Sequence, residues 1–277
     1  MNEIHSAAII CIASILLLAA CGGESPVPEL KMVPQTALLL VHLEDGLNQD
    51  TRSLLSESIP EFELADSLLK SGPVGVALVG IDITSLEPQL LLLSEDVTEQ
   101  YASALAARQL DLDPRQEENR VDLINQQGYA RASVAERKGW TAIYLGPAPH
   151  ITIGTWLDLD EDNSMAADTA LGSILPEDAH ISVLVPGNLF GFLSFLPLER
   201  QLSWWQNYKD FTAELKPAAL TAGLNWPDEP GDSIFLSLAV ARKEAGTVTI
   251  EVAAENTGMN PDSAAALVFT LLEGMSL

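Results

Sequence analysis

Two cysteines are all that the 277 residues contain, and both stand near the start, Cys11 and Cys21. A chain of this length builds an ordinary core without covalent staples, so a disulfide framework is not what holds it. Basic residues are scarce too: 14 Lys and Arg face 39 Asp and Glu, a formal net charge of -25. Phosphate backbones are bound by cationic patches, which sets nucleic acid aside as a partner. No apolar run reaches the roughly 20 residues that a spanning helix needs. Catalytic signatures are missing: no GxSxG elbow, no glycine-rich phosphate loop before a lysine and no HExxH occurs. Paired carboxylates for glycoside chemistry stay open, because so many acids bring two together in almost any fold. The expectation is a protein that is not an enzyme.

What the sequence does carry begins with an address. Residues 7 to 20 are apolar apart from Ser14, a stretch of 14 residues ending in Ala19 and Ala20. That is the length and the small-residue ending of a secretory signal core. The next residue is Cys21, and the tail after it, GGESPVPELKMVPQ, has the composition of a flexible linker. Leu18, Ala19, Ala20 and Cys21 resemble the bacterial lipobox. The first six residues, MNEIHS, depart from the export pattern in holding no Lys or Arg. The resemblance implies that residues 1 to 20 are removed and that the Cys21 sulfur is acylated. Several acyl chains anchor a protein stably to a membrane where one does so marginally. Gly22, in place of Asp, implies the outer membrane, with the chain facing the periplasm or the cell surface. Cleavage discards Cys11 and one acid, Glu3, so the mature chain carries a net -24 and no free thiol.

The remainder reads as α+β, in two related halves, each with antiparallel strands packed by helices. The stretches VPQTALLLVHLEDGL (33 to 47) and LPEDAHISVLVPGNL (175 to 189) share Pro34 with Pro176, Ala37 with Ala179, Val41 with Val183 and Leu47 with Leu189. Each opens a strand with a proline, which cannot donate to a ladder, and then runs apolar for about a strand's length. In the first half PVGVALVGI and PQLLLLSE read as strands and TEQYASALAARQLD as an alanine-rich helix. GYARASVAE, WTAIYLG and HITIGTW read as extra strands. In the second half LERQLSWWQNYKDFTAELK reads as helix and ALTAGLNW as strand. SIFLSLAVARK with TVTIEVAAE forms a hairpin about Glu244 to Gly246, and a last helix runs from Asn260 to Gly274. The expected boundaries are a signal peptide at 1–20, a lipidated tether at 21–33, a first half at 34–157, an acidic linker at 158–174 and a second half at 175–277. The recurring proline, small polar pair and strand resemble uncharacterised bacterial envelope proteins built of tandem units. That family has no assigned catalytic residues to carry over.

Three groups of side chains stand out as candidate sites. His42, His150 and His180 lie in separate expected strands or strand starts, without the close spacing of zinc ligands, and read as ordinary strand histidines. DLDEDNSMAADT (158 to 169) sets Asp158, Asp160 and Asp162 at the first, third and fifth places of an EF-hand-like loop, which makes calcium the only metal to consider. Asn163 stands where such a loop has glycine and Thr169 where it has a closing glutamate, so an acidic linker is the competing reading. Seven of the chain's 16 aromatics fall between Phe190 and Phe211. Of these, Phe195, Trp204, Trp205, Tyr208 and Phe211 are the candidate ligand or partner patch, with core packing as the alternative. The sum is a lipid-anchored envelope protein with a binding or scaffold role and an envelope protein as possible partner. A carrier or sensor of an apolar ligand and a hydrolase of envelope polymers are the alternatives.

Overall fold

The computed structural model describes residues 27–47, 49, 52, 56, 62–82, 87–176, 179–194, 209, 212–213, 216–225, 233–243 and 246–255. The chain divides into two compact units, Val27–Ala167 and Asp168–Leu277, together with segments near the N-terminus outside the described residues.

The first unit is a seven-stranded antiparallel sheet. Its strands are β1 (Leu39–Leu43), β2 (Val74–Ile81), β3 (Pro88–Ser94), β4 (Asp113–Gln116), β5 (Val121–Ile124), β6 (Ala130–Arg137) and β7 (Trp140–Leu145), in the order β1-β2-β3-β7-β6-β5-β4. β1 is buried along its whole length and pairs with β2 so that His42 faces Gly75 across the ladder. Among the described residues, helices α1 (Phe62–Leu69), α2 (Glu99–Leu110) and α3 (Pro149–Leu157) accompany the sheet. α1 buries Phe62, Leu64, Ala65, Leu68 and Leu69. α2 starts at Thr98, whose hydroxyl accepts from the Tyr101 amide, and ends where Asp111 takes a left-handed conformation and donates back to the Ala107 carbonyl. These are the capping devices expected of a helix that stands beside a sheet and exposes both ends.

HITIGTW is helix α3, not the strand its β-branched residues suggest. Pro149 supplies a first helical residue with its φ preset and no amide to satisfy. Pro149, Ile153 and Trp156 then fall on one buried face at spacings of four and three. Arg137 ends the helix by donating to the Trp156 carbonyl at 2.6 Å and to the Leu159 carbonyl. β4 and β5, which carry no apolar run of strand length, complete the sheet on the far side of β6.

The second unit is a four-stranded antiparallel meander of β8 (Ile181–Pro186), β9 (Pro217–Asn225), β10 (Ser233–Arg242) and β11 (Thr247–Glu255), with α4 (Thr169–Gly172) and α5 (Gly187–Ser194). The expected hairpin is there: β10 pairs with β11 from Ser233↔Glu255 to Ala241↔Thr247, and the Arg242 amide donates to the Gly246 carbonyl at 3.1 Å. Gly187 opens α5 where a side chain would meet the Ala218 carbonyl oxygen at 2.5 Å, so the residue there must be glycine.

The expectation of two related α+β halves, each packed by helices, is corrected. Eleven strands, all in antiparallel ladders, dominate the described chain, and the described helices are few and mostly short. The units carry seven and four strands, because β7, β6, β5 and β4 extend the first sheet beyond β3. β1 and β8 are the two stretches whose openings match in sequence, and both are buried strands.

Candidate functional site

The most unusual chemistry in the first unit gathers around His42. Before β1, residues Pro28–Met32 form a 3₁₀ turn whose first position is a proline. Val27, Leu30, Met32 and Val33 are buried. The same turn carries Glu29 into the interior with 0 % exposure, and His42 in β1 is 5 % exposed. The His42 Nδ1 donates to Glu29 Oε1 at 2.8 Å, and Nε2 donates to Glu44 Oε1 at 3.1 Å. A neutral imidazole carries one N–H and cannot donate at both nitrogens, so donation to two carboxylates goes with the protonated ring that the raised pKa favours. Burial alone would push its pKa down, but the hydrogen bonds to Glu29 and Glu44 and the charge of both carboxylates outweigh that and raise it to about 9.

Gly75 is what makes room for the pair. A Cβ at that position would stand 2.7 Å from the Glu29 Cγ. The strand facing His42 therefore needs a residue without a side chain, and Glu29 fills the space. Glu29 Oε2 is buried with no hydrogen-bond partner. The arrangement acts as an electrostatic clasp. With both ring nitrogens donating, the imidazolium has no lone pair for a metal and none to act as a base.

The segment from Val27 to Gln35 is fastened at further points. The Trp156 indole N–H donates to the Met32 carbonyl at 2.8 Å. The Met165 amide donates to the Val33 carbonyl, and the Gln35 amide to the Asn163 carbonyl, both at 2.8 Å. Lys31 meets Glu161 at 2.9 Å on the surface, and the lysine holds the Glu161 carboxyl below its usual value. Pro34 and Ser164 form a single isolated bridge. No ladder of paired residues secures this segment, which is called the strap below.

The acidic stretch is spent on local backbone. Asp158 ends α3, and Asp160 caps the 3₁₀ turn Glu161–Asn163 by accepting from the Asn163 amide at 3.0 Å and its side-chain amide at 2.7 Å. Asp162 is exposed. Asp168 caps α4, accepting from the amides of Ala170 and Leu171. No group of three or more His, Cys, Asp or Glu among the described residues could hold a metal ion. A second charged cluster sits on β5 and β6, where Arg120 donates twice to Asp122 and Ser133 donates to it at 2.6 Å. Burial would raise the Asp122 carboxyl, but these bonds outweigh it and hold the pKa low.

His150 is exposed in the first turn of α3, and His180 is half-buried just before β8. Cys21 and the aromatic candidates Phe195, Trp204, Trp205, Tyr208 and Phe211 lie outside the described residues. The sequence reading missed Glu29, placing it in a free tether. The signal available was a lone acid among the apolar Val27, Leu30 and Met32, thirteen residues before a lone histidine in an apolar strand.

No family model matches the chain, and no curated protein sequence matches it. Among solved structures it is similar to TP0453 in two crystal forms. In form III the identity is 11% over 88% of this chain and 97% of that one, at a TM-score of 0.49. In form I the identity is 12% over 90% of this chain and 99% of that one, again at 0.49. A likeness of that degree assigns no function to this chain.

Proposed function

We propose that this is a lipid-anchored protein of the bacterial outer membrane with a non-catalytic binding or scaffold role. The observation that carries the reading is a juxtaposition in the sequence of the strap. The lipobox-like Leu18–Cys21 is followed, six residues later, by Val27, which is already buried in the first unit. Such a chain would pass from an acylated residue into a folded domain almost at once. The non-catalytic part rests on His42, the one buried histidine among the described residues, which is held with both nitrogens committed.

The test is in two parts. Changing Cys21 to Ser is expected to move the protein from the membrane fraction to the soluble one, and retention in the membrane would contradict the anchor. For the binding role, photo-crosslinking residues at the exposed Tyr129 and Ile151 are expected to yield a discrete envelope-protein adduct in native membranes. Adducts no more frequent than those of an unrelated lipoprotein would contradict it.

A further inference from the structure

We infer that the strap, residues 27 to 36, is a latch that sets the length of the protein's tether, closed by insertion of Glu29 between His42 and Gly75. The inference rests on the anchor reading for its consequence, but the latch itself stands on the geometry of the first unit.

Three observations carry it. The strap closes over the sheet without joining it: its fastenings are single hydrogen bonds at Met32, Val33 and Gln35, an isolated bridge at Pro34 and the surface pair Lys31–Glu161. A segment held without a ladder lacks the cooperative backbone pairing that fixes a strand, so it can open apart from the sheet. Beside the buried apolar side chains of Val27, Leu30, Met32 and Val33, the strap's deep polar contact is ionic, and removing either partner leaves an uncompensated charge. Finally, the contact is incomplete. Glu29 Oε2 is buried without a partner, and such an orphan oxygen costs free energy in the closed state that water would restore on opening. A closed state that is specific yet imperfectly satisfied is what a two-position element needs.

The charged groups that act on His42 are Glu29 from the strap and Glu44 from the end of its own strand, while the facing strand β2 presents Gly75. Opening therefore removes one of the two carboxylates and exposes the imidazolium beside Glu44. The effect on reach is large. From Cys21 to Val27 there are six residue steps, at most about 20 Å of chain, whereas from Cys21 to Ala37 there are sixteen, about 55 Å at full extension. Closed, the first unit would be held against the bilayer surface. Open, it could stand off by several nanometres and meet partners that the closed form cannot.

The experiment uses the full chain, expressed with its own leader and extracted in detergent. Hydrogen exchange is read at three reporters of strap closure, the Trp156 indole N–H and the amides of Met165 and Gln35, each of which donates to or from the strap. The Leu38 amide, which donates to the Leu78 carbonyl, and the β1–β2 ladder serve as the reference. Glu29→Gln is expected to speed exchange at the three reporters at least tenfold while the reference amides change less than twofold. Raising wild-type protein from pH 7 to 9.5 is expected to do the same after correction for intrinsic rates, and it does not depend on the variant folding. Reporters that speed up less than tenfold, or together with the reference amides, overturn the latch. The tether consequence is read on vesicles with a donor dye at Tyr129→Cys and an acceptor in the bilayer. Transfer is expected to fall in Glu29→Gln, and unchanged transfer with open reporters would overturn the change of reach. The mass of the Cys21 peptide from the same sample reports acylation separately, so a failed anchor and a failed latch are told apart.

Discussion

Two acidic regions of the first unit, one a run of acids and the other a single glutamate, meet opposite fates. In the stretch from Asp158 to Asp162, the carboxylates are exposed, and Asp160 accepts hydrogen bonds from a neighbour three residues away. Glu29 is a single acid, wholly buried, and its partner lies thirteen residues away on a strand. A run of acids satisfies itself locally, because short side chains reach nearby amides and water screens the rest. An isolated acid carried into the interior by apolar neighbours must find a cation there, and this fold supplies one by protonating a histidine. Acid density in the sequence thus points to helix and turn caps, and the consequential charge is the solitary one.

That contrast can be broken from either side. The largest effect is expected from His42→Ala, which leaves Glu29 buried and unpaired. A loss of about 3–5 kcal/mol in urea unfolding of the first unit at pH 7 is expected, and a loss below about 1 kcal/mol would mean that the clasp contributes little.

The second is a pH dependence with a defined sign. The folded-state pKa of His42 is raised from 6.5 to about 9, so the folded protein keeps a proton that the unfolded chain has released. The contribution is full below about pH 6.5 and is lost as pH rises towards 9. At about 1.36 kcal/mol per unit, it amounts to about 3 kcal/mol. Urea midpoints measured from pH 6 to 10 are expected to fall over that window, and the fall is expected to vanish in His42→Ala.

Gly75→Ala comes next. The new methyl would press on the Glu29 Cγ, and expulsion or strain of the strap is expected to cost about 1–3 kcal/mol, with the Trp156 indole exchanging faster. On the acidic side, Asp168→Ala removes an α4 cap and is expected to cost about 0.5–2 kcal/mol. The smallest effect is expected from Asp160→Asn. It keeps a capping side chain, so a change within about 0.5 kcal/mol is expected by thermal unfolding with or without calcium. A calcium-dependent stabilisation abolished by this variant would restore the ion-binding reading of the loop.

Much of the sheet was legible. β2, β3, β6 and β7 announce themselves by apolar runs or alternation, α2 by its alanine content, and the β10–β11 hairpin by period-two patterning around Gly246. Three features were not, for physical reasons. α3 has the β-branched residues of a strand, and only the buried spacing of Pro149, Ile153 and Trp156, which depends on the sheet beneath, decides for helix. β4, with the sequence DPRQ, is exposed at every position, so no burial pattern marks it. The strap was read as a free linker because its proline-rich composition is that of a linker. Its docking depends on a gap at Gly75 and a charge at His42 that no local pattern connects to Glu29.

Anchoring at Cys21, six residues before the buried Val27, is read off the intact mass of the protein extracted from the envelope of cells expressing the full chain. The expected mass is that of a chain lacking residues 1 to 20, with added mass on the Cys21 peptide equal to acyl and glyceryl groups. A chain retaining those residues, or one beginning at Cys21 or beyond without added mass, would contradict it.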